Sequence, residues 1–389
     1  MRQDRRGLGL GIGVGSSSSS LTDEIPSAFP LWNKAPYLTS DCAQFVEALR
    51  TNRLKGSTAT VSTITSSVGT SGWAGGTLAP NGYIYFAPSS ATQIAKLNPA
   101  DDTVTLIGTS LGGATNKYAS GVLAPNGSIY FIPNRAGNIL KLNPTTDTVT
   151  QITAAFGNGA FNGAIVSPQG NIYGVPQSFL TNMLKLDTST DTISTIPIPS
   201  VNTGNNRWCG AAVAADGKIY MMPNSCNAVL EIDPATDATA TYVVWDTALR
   251  NQNLGAVLGP NGLIYSPPNE GFQMMIFNPI TKTASFVPTL GGGGYMYGGA
   301  MGPDGVIYMQ GWFNDSVMAF DTITNQKTMY YPAGKPTTGI YYNGGGTMAL
   351  NGNVYLPANN TSQVFTKITF SGTYSIDNDW PLSRQVNHL

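Results

Sequence analysis

Apolar and polar positions alternate in short runs along most of this chain, and turn residues separate the runs. One stretch, LAPNGSIYFIP, spans Leu123–Pro133, and a close copy, LAPNGYIYFAP, spans Leu78–Pro88. In both, a Pro-Asn-Gly turn separates two apolar runs, and the second run begins with Ile-Tyr. Because β-branched and aromatic runs around Asn-Gly are typical of antiparallel hairpins, the stretch predicts two strands joined by a two-residue turn.

The hairpin recurs about every 45 residues. A second hairpin follows the first in each copy; an Asn or Asp such as Asn98 introduces it, and Thr-rich runs such as Thr148–Ile152 continue it. Four strands in a unit of about 45 residues match one blade of a β-propeller. We therefore predict an all-β fold, a seven-bladed β-propeller. The glycines that end the seven first turns are Gly82, Gly127, Gly170, Gly217, Gly262, Gly305 and Gly352.

Two small residues stand at the same place in every copy, shortly before the turn glycine. In a propeller this place lies on the innermost strand, where seven strands crowd around one axis and small side chains relieve the crowding. A linear solenoid would not need them. The pairs are Gly75-Gly76, Ser120-Gly121, Gly163-Ala164, Gly210-Ala211, Gly255-Ala256, Gly298-Gly299 and Gly345-Gly346.

Two segments compete for the outer strand that closes the ring. Thr58–Ile64 resembles the outer strands of other copies, and the last copy could instead use its own segment near Thr373–Ile376. We favour the N-terminal segment. The predicted domains are an N-terminal arm at 1–56, the propeller at 57–376 and a C-terminal tail at 377–389.

The segments LEIDPATDATATYV, at Leu230–Val243, and LKLNPTTDTVT resemble YVTN-type seven-bladed propeller repeats over about residues 57–376. That family includes surface-layer and extracellular binding proteins. The hairpin form APNGxIYxxP departs from the family's repeat and is similar to uncharacterised bacterial and viral propellers. The resemblance implies a propeller and points to a tailed-phage virion protein.

The arm begins MRQDRRGLGLGIGVGSSSSS, with glycine at every second position from Gly7 to Gly15. This spacing fits neither a dinucleotide fingerprint nor a phosphate loop. A flexible linker and a signal peptide are two interpretations. In the third, a neighbouring subunit of an assembly holds the arm and offsets the entropy of ordering it. Its predicted assembly residues are Arg5, Arg6, Gly7, Gly9 and Gly11.

A short helix is predicted at about 41–54, where Asp41 can cap the first turn. Phe45 and Leu49 lie on one apolar stripe of this helix. The stripe either packs on the propeller or docks to a partner, so Phe45 and Leu49 join the candidate assembly residues.

Charge and composition exclude several functions. The net charge is −1, which gives no field for nucleic acid or an anionic membrane, and no apolar run is long enough for a membrane span. The one histidine is His388, near the C-terminus. Streptogramin lyases are also seven-bladed and use a histidine general acid with a metal, but no copy of this repeat contains a histidine. We therefore predict a protein that is not an enzyme and has no catalytic residue, metal or cofactor.

The remaining candidates for chemistry have structural explanations. Cys209 and Cys226 flank one hairpin; a disulfide is possible, but we interpret them as buried thiols. Aspartates recur in the turn before the outermost strand, and we interpret them as turn formers rather than cation ligands, since the same position holds Lys282 and Asn325 in later copies. These aspartates are Asp102, Asp147, Asp191 and Asp237.

Aromatic residues stand at the end of the loops that lead into the innermost strands. They could form a ring that stacks on sugars or receives a protein partner, or they could wedge between blades and be buried. The loops at 290–298 and 332–342 are the predicted recognition loops. The candidate ring consists of Trp73, Tyr118, Phe161, Trp208, Tyr295 and Tyr342.

Two functions follow. The first is a non-enzymatic structural or interaction protein, a platform that its arm anchors among other structural proteins of a virion, as capsid decoration or tail. The second is a secreted or cell-surface propeller that binds a glycan or receptor. Neither involves nucleic acid.

Overall fold

The computed structural model describes residues 58–371 except 67, 69–71, 155, 157–158, 178–179, 202–206, 246–252, 271–272, 290–294, 312–315, 334–343 and 358–363. The predicted helix at 41–54, the rest of the arm and the tail at 377–389 lie outside the described residues. Among those described, no helix is long and apolar enough to cross a bilayer.

The described residues form 28 β-strands. In chain order they are β1 Ala59–Thr65, β2 Trp73–Leu78, β3 Ile84–Pro88, β4 Ile94–Leu97, β5 Val104–Ile107, β6 Tyr118–Leu123, β7 Ile129–Pro133, β8 Asn138–Asn143, β9 Thr148–Thr153, β10 Phe161–Val166, β11 Ile172–Pro176, β12 Asn182–Asp187, β13 Thr192–Pro197, β14 Trp208–Val213, β15 Ile219–Pro223, β16 Ala228–Asp233, β17 Ala238–Val243, β18 Val257–Leu258, β19 Ile264–Ser266, β20 Gln273–Asn278, β21 Thr283–Pro288, β22 Met296–Met301, β23 Val306–Gly311, β24 Val317–Asp321, β25 Lys327–Tyr330, β26 Thr347–Met348, β27 Val354–Leu356 and β28 Val364–Phe370.

The strands form seven four-stranded antiparallel sheets, which are the blades of the propeller. Blade 1 contains β2–β5, and blades 2 to 6 take the next strands in fours, up to β25. Blade 7 combines β26, β27 and β28 with β1. Within a blade we name the strands a, b, c and d from the axis outward. The prediction of an all-β seven-bladed propeller is confirmed.

The N-terminal strand closes the ring. β1 is strand d of blade 7 and pairs with β28 over its whole length, from Ala59 opposite Phe370 to Thr65 opposite Val364. The preference for the N-terminal segment is therefore confirmed. Since the two ends of the described chain meet in one sheet, opening the ring would break this ladder.

The a–b turn differs in detail from the prediction. In blade 1 the amide of Gly82 donates to the carbonyl of Ala79, and the amide of Ala79 donates to the carbonyl of Tyr83. The loop thus has three residues, Pro80–Gly82, and only its glycine has positive φ, at 81°. The predicted two-residue turn is wrong, because a type I turn followed by a left-handed glycine satisfies the same backbone groups.

The small pairs of strand a allow the inner strands to touch. A Cβ added to Gly210 would lie 2.5 Å from the amide nitrogen of Ala256 in blade 5, and one added to Gly75 would lie 2.8 Å from Cβ of Ser120. Backbone hydrogen bonds join neighbouring inner strands here, as from Gly76 to the carbonyl of Gly345 at 3.1 Å. The predicted crowding is confirmed, and the structure adds a β-bulge at the pair in blades 1, 2, 3, 4 and 6.

A buried tyrosine of strand b joins each blade to the next. In blade 1 the Tyr85 hydroxyl donates to Oδ1 of Asp147, at 3.0 Å, in the c–d turn of blade 2. Asn81 of the a–b turn donates to the Tyr85 hydroxyl at 2.9 Å and to the carbonyl of Pro144 at 2.6 Å. The seven tyrosines are Tyr85, Tyr130, Tyr173, Tyr220, Tyr265, Tyr308 and Tyr355, and all are fully buried.

An ion pair accompanies this tyrosine at most seams. A lysine of strand c, paired in register with the tyrosine, contacts the c–d turn aspartate of the next blade. We name the strand c residue and the turn residue together the interblade latch. Because the groups are partly exposed, each pair adds about 1 kcal/mol or less. The Lys–Asp latches are Lys96–Asp147 at 2.6 Å, Lys141–Asp191 at 2.6 Å, Lys185–Asp237 at 2.5 Å and Lys367–Asp102 at 2.6 Å.

The latch between blades 4 and 5 has its charges exchanged. Glu231 takes the strand c position and Lys282 the turn position, with 2.7 Å between Nζ and Oε2. Lys218 contacts Oε1 of Glu231 at 2.5 Å. Burial acts to raise the pKa of Glu231, but hydrogen bonds from both lysines lower it to about 2, from an ordinary value of 4.5. The latch therefore depends on complementary charge and not on which blade carries the acid.

We predict that Gly210→Ala destabilises the ring more than Gly127→Ala. The two glycines have φ of 83° and 79°, but an alanine at Gly127 would meet nothing within 4 Å. Gly127→Ala should therefore cost only the strain of positive φ, about 1–2 kcal/mol, and Gly210→Ala about 1–3 kcal/mol more from overpacking. Denaturant unfolding of both variants measures the difference. Equal losses would show that the inner strands do not limit substitution.

We predict that the stability contributed by Glu231 is lost in acid. Its native pKa of about 2 lies below the ordinary 4.5, so the contribution is complete above about pH 4.5 and disappears as the pH falls toward 2. Glu231→Gln should cost about 3 kcal/mol at pH 7, because it removes the buried carboxylate that both Lys218 and Lys282 contact. The difference from the parent should shrink between pH 4.5 and 2 in chemical unfolding. Lys96→Gln, at a partly exposed latch, is the control and should cost about 1 kcal/mol or less. A difference that does not change with pH would contradict the assignment.

Candidate functional site

The two ends of the ring differ in chemistry. The a–b and c–d turns lie at one end, and this end carries the interblade latches. The b–c and d–a connections lie at the other end, which we name the d–a face. Since the latches occupy the polar groups of the first end in structural contacts, the d–a face is the candidate for recognition.

Side chains of strand a plug the central channel. The Tyr297 hydroxyl of blade 6 contacts Oδ1 of Asn162 in blade 3 at 3.3 Å, so this contact spans the axis of the ring. The Asn162 amide donates to Sγ of Cys209 at 2.9 Å, and Leu254 packs beside them. The channel is therefore closed at this level, and a ligand bound at the d–a face could not pass through the ring.

The predicted aromatic ring lies almost entirely in the interior. Trp73, Tyr118, Phe161 and Trp208 are buried, and their indole and hydroxyl donors bond backbone carbonyls, such as Gln93 for Trp73 at 2.9 Å. Tyr295 is half-buried, and Tyr342 lies outside the described residues. The alternative of aromatic wedges between blades therefore describes the first four, which offer no stacking surface to solvent.

The other predicted site residues belong to the arm and to the recognition loops. The assembly residues Arg5, Arg6, Gly7, Gly9, Gly11, Phe45 and Leu49 lie outside the described residues, as do 290–294 and 334–342 of the recognition loops.

Cys209 and Cys226 are free and buried, so the interpretation as buried thiols is confirmed. Burial raises the pKa of each thiol to about 12, which keeps both protonated at neutral pH.

The aspartates of the c–d turns have a structural role. The φ angles of the four aspartates, Asp102, Asp147, Asp191 and Asp237, are 54–61°. Lys282 and Asn325, at the same turn position, have φ of 60° and 55°. This confirms their interpretation as turn formers. Their carboxylates bind latch lysines, a role that sequence analysis missed. In the part of the chain that the structure describes, no three His, Cys, Asp or Glu side chains group as metal ligands do.

A chain of backbone hydrogen bonds runs along the d–a face across blades 2 to 4. Each link joins a residue before strand a to a residue after strand b, with distances of 2.8–3.0 Å. We name this chain the rim. Asn134 reinforces it through its side chain, which donates to Oε1 of Gln177 at 2.7 Å. In order, the rim consists of Lys117, Asn134, Ala160, Gln177, Arg207 and Asn224.

The rim holds two buried cations. Arg207 is 9% exposed, and its Nη1 donates to the carbonyl of Leu180 at 2.8 Å, while its Nε has no acceptor among the described residues. Lys117 is 3% exposed and donates to the carbonyl of Ala114 at 2.7 Å. Within the described residues neither forms a salt bridge. Burial lowers the pKa of both side chains, because desolvation disfavours the charged form.

Sequence analysis missed this pair of cations. The signal was available one position before two of the aromatic residues, since Lys117 precedes Tyr118 and Arg207 precedes Trp208. What the sequence does not show is that strand pairing buries both cations on one edge of the ring.

Comparisons with known proteins agree with the fold. No family profile matches this sequence, and no curated protein matches it. Among solved structures, a streptogramin B lyase shares 17% identity at a TM-score of 0.67, over 80% of this chain and 98% of that chain. Virginiamycin B lyase from Staphylococcus aureus shares 14% at 0.67, over 80% and 99%. An extracellular domain of the two-component system BT3049 from B. thetaiotaomicron shares 13% at 0.55, over 76% of this chain and 40% of that chain.

The prediction that this chain is not an enzyme is overturned by these neighbours. The two lyases are enzymes, and each is similar to this chain over 80% of its length. The seven-bladed fold of this chain therefore gives no ground for excluding catalysis. At 14–17% identity the likeness shows the fold alone and assigns no reaction to this chain.

Proposed function

We propose that this protein is a recognition platform whose d–a face binds an anionic group of its partner. The observation that carries the proposal is Arg207, a buried guanidinium whose Nε has no acceptor in the part of the chain that the structure describes. A buried charge without a counter-ion is costly, and proteins keep such groups mainly where they serve a ligand or a partner.

The surroundings of Arg207 favour a preorganised site. Its backbone is fixed on both sides, since its amide donates to Gln177 at 2.8 Å and its carbonyl accepts from Asn224 at 2.8 Å. The guanidinium also lies over the Trp208 ring, 6.0 Å from its centroid. An anion would therefore meet a donor that loses little side-chain entropy on binding.

Lys117 supports an anion-binding role at a second point of the rim. Its ammonium donates to one backbone carbonyl, although an ammonium has three hydrogens to donate. The plugged channel supports binding at a surface rather than passage through the ring. A sulfated or carboxylated surface glycan and an acidic patch of another protein both have the required charge.

We also propose that the platform works in a larger assembly, as a virion component in which the N-terminal arm contacts neighbouring structural proteins. In this proposal neighbouring proteins supply the contacts that offset the entropy of ordering residues 1–20, whose Gly/Ser composition provides little surface of its own. The alternative is a secreted or cell-surface location, for which the extracellular neighbour domain is the supporting comparison.

We predict that Arg207→Gln weakens binding of a sulfated oligosaccharide at least tenfold, since a charge-assisted hydrogen bond to a buried guanidinium is lost. Titration calorimetry would measure it, with the desulfated oligosaccharide as the uncharged probe. Lys117→Gln tests the second cation in the same way.

Lys327→Gln is the matched control, because Lys327 is an exposed cation on the outer strand of blade 6. Its effect should stay below twofold, and thermal unfolding should show that all three variants fold. Equal binding of the two oligosaccharides, or an equal loss in the control, would contradict the proposed anion site.

For the assembly, we predict that deleting residues 1–40 leaves the melting midpoint unchanged and abolishes incorporation into particles. Mass spectrometry of purified particles and of culture supernatant locates the full chain and the truncated one. Recovery of both forms in the supernatant and neither in particles would overturn the virion placement. Equal incorporation of the two forms would overturn the role of the arm.

A further inference from the structure

The guanidinium of Arg207 is held at one of its terminal nitrogens. Nη1 donates to the carbonyl of Leu180 at 2.8 Å, whereas Nε is buried and makes no hydrogen bond to the described residues. A guanidinium is planar, and its Nε and Nη2 present two N–H donors side by side along one edge. The bond to Leu180 therefore leaves this edge without an acceptor in the part of the chain that the structure describes.

The surroundings fix the direction of this edge. The guanidinium lies 6.0 Å from the centroid of the Trp208 ring. Trp208 cannot turn away, because it is fully buried and its Nε1 donates to the carbonyl of Ala228 at 2.9 Å. With the ring on one side and the Leu180 carbonyl at Nη1, the two donors of the edge point in one set direction.

The thiol of Cys226 contacts Arg207 but does not neutralise it. Its Sγ donates to the Arg207 carbonyl at 2.9 Å. A thiolate there would raise the pKa of the guanidinium, but burial raises the pKa of Cys226 to about 12, so the thiol is protonated at neutral pH. Cys226 therefore supplies no counter-ion.

The ring itself does not need an arginine at this position. The carbonyl of Arg207 accepts from the residue after strand b, and the same backbone bond is made in other blades by Gly72, at 3.0 Å, and by Ala160, at 2.9 Å. Neither of those residues has a polar side chain. The backbone role therefore explains the position but not the guanidinium.

We propose that Arg207 selects an anion with two adjacent oxygens, a carboxylate, sulfate or phosphate group, which its Nε and Nη2 bind together. This rests on the proposed anion site of the d–a face and adds the class of group that the site takes. Arginine pairs with such groups through two parallel hydrogen bonds, which add geometric specificity to charge. The ammonium of Lys117 is a point charge with rotating donors and gives no such selection.

The test compares Arg207→Lys with Arg207→Gln in the full chain, by titration calorimetry with the sulfated oligosaccharide. Lysine keeps the charge but loses the paired donors, so both variants should weaken binding about tenfold. A carboxylated oligosaccharide without sulfate is the second probe, and the probe whose binding shows this dependence identifies the source of the oxygens.

Arg135→Lys is the matched control. Arg135 is an exposed arginine of the b–c connection of blade 2, on the same face of the ring. The same exchange there should change binding less than twofold, and melting midpoints should show that all the variants fold.

Chemical rescue separates recognition from a structural loss. Arg207→Ala should regain several-fold of its lost affinity with methylguanidinium and less than twofold with methylammonium, both at equal ionic strength and at concentrations that leave the melting midpoint unchanged. A variant that lost affinity through a disturbed backbone would respond equally to the two cations.

Two results would overturn this inference. Binding by Arg207→Lys equal to the parent, with loss in Arg207→Gln, would mean that charge alone is recognised; the anion site would stand and the selection of paired oxygens would not. Binding that none of the Arg207 variants weakens would overturn the anion site as well.

Discussion

Seven inner strands approach one another so closely that a single Cβ decides whether they fit. An added Cβ at Gly298 would lie 2.4 Å from the amide nitrogen of Gly345, and one at Gly344 would lie 2.1 Å from that of Gly75. Backbone-to-backbone contact of this kind brings the blades near enough for the strand b tyrosines to reach the next c–d turn. The interblade hydrogen bonds, the ion pairs and the plugged channel all depend on this approach.

The contacts between neighbouring blades combine the same buried tyrosine with different residue pairs at the latch positions. Four Lys–Asp latches, one reversed Glu–Lys latch and a neutral seam of Ile276 and Asn325 all share the buried tyrosine. Packing of the tyrosine is therefore the common element, and partly exposed ion pairs add small increments to it. Blade 7 differs from the other blades because its two outer strands come from the N-terminal and C-terminal parts of the propeller and are not joined by a turn.

The two ends of the ring differ in how their charged side chains are paired. Lysines and aspartates at the turn end neutralise each other across seams, whereas Arg207 and Lys117 on the d–a face are buried without salt bridges among the described residues. Lyases and extracellular domains share this fold. The same rigid ring can present different side chains at this edge without changing its core.

The sequence alone determined the features that repeat: the number of blades, the strand pairs around Pro-Asn-Gly, the small residues of strand a and the N-terminal strand that closes the ring. Periodic local patterns carry this information, because each blade obeys the same local rules. Only the tertiary structure decided what meets across blades. The latch between Lys96 and Asp147, the burial of Trp208 and the isolation of the Arg207 charge depend on residues about one blade apart, and their contacts arise only when the ring closes.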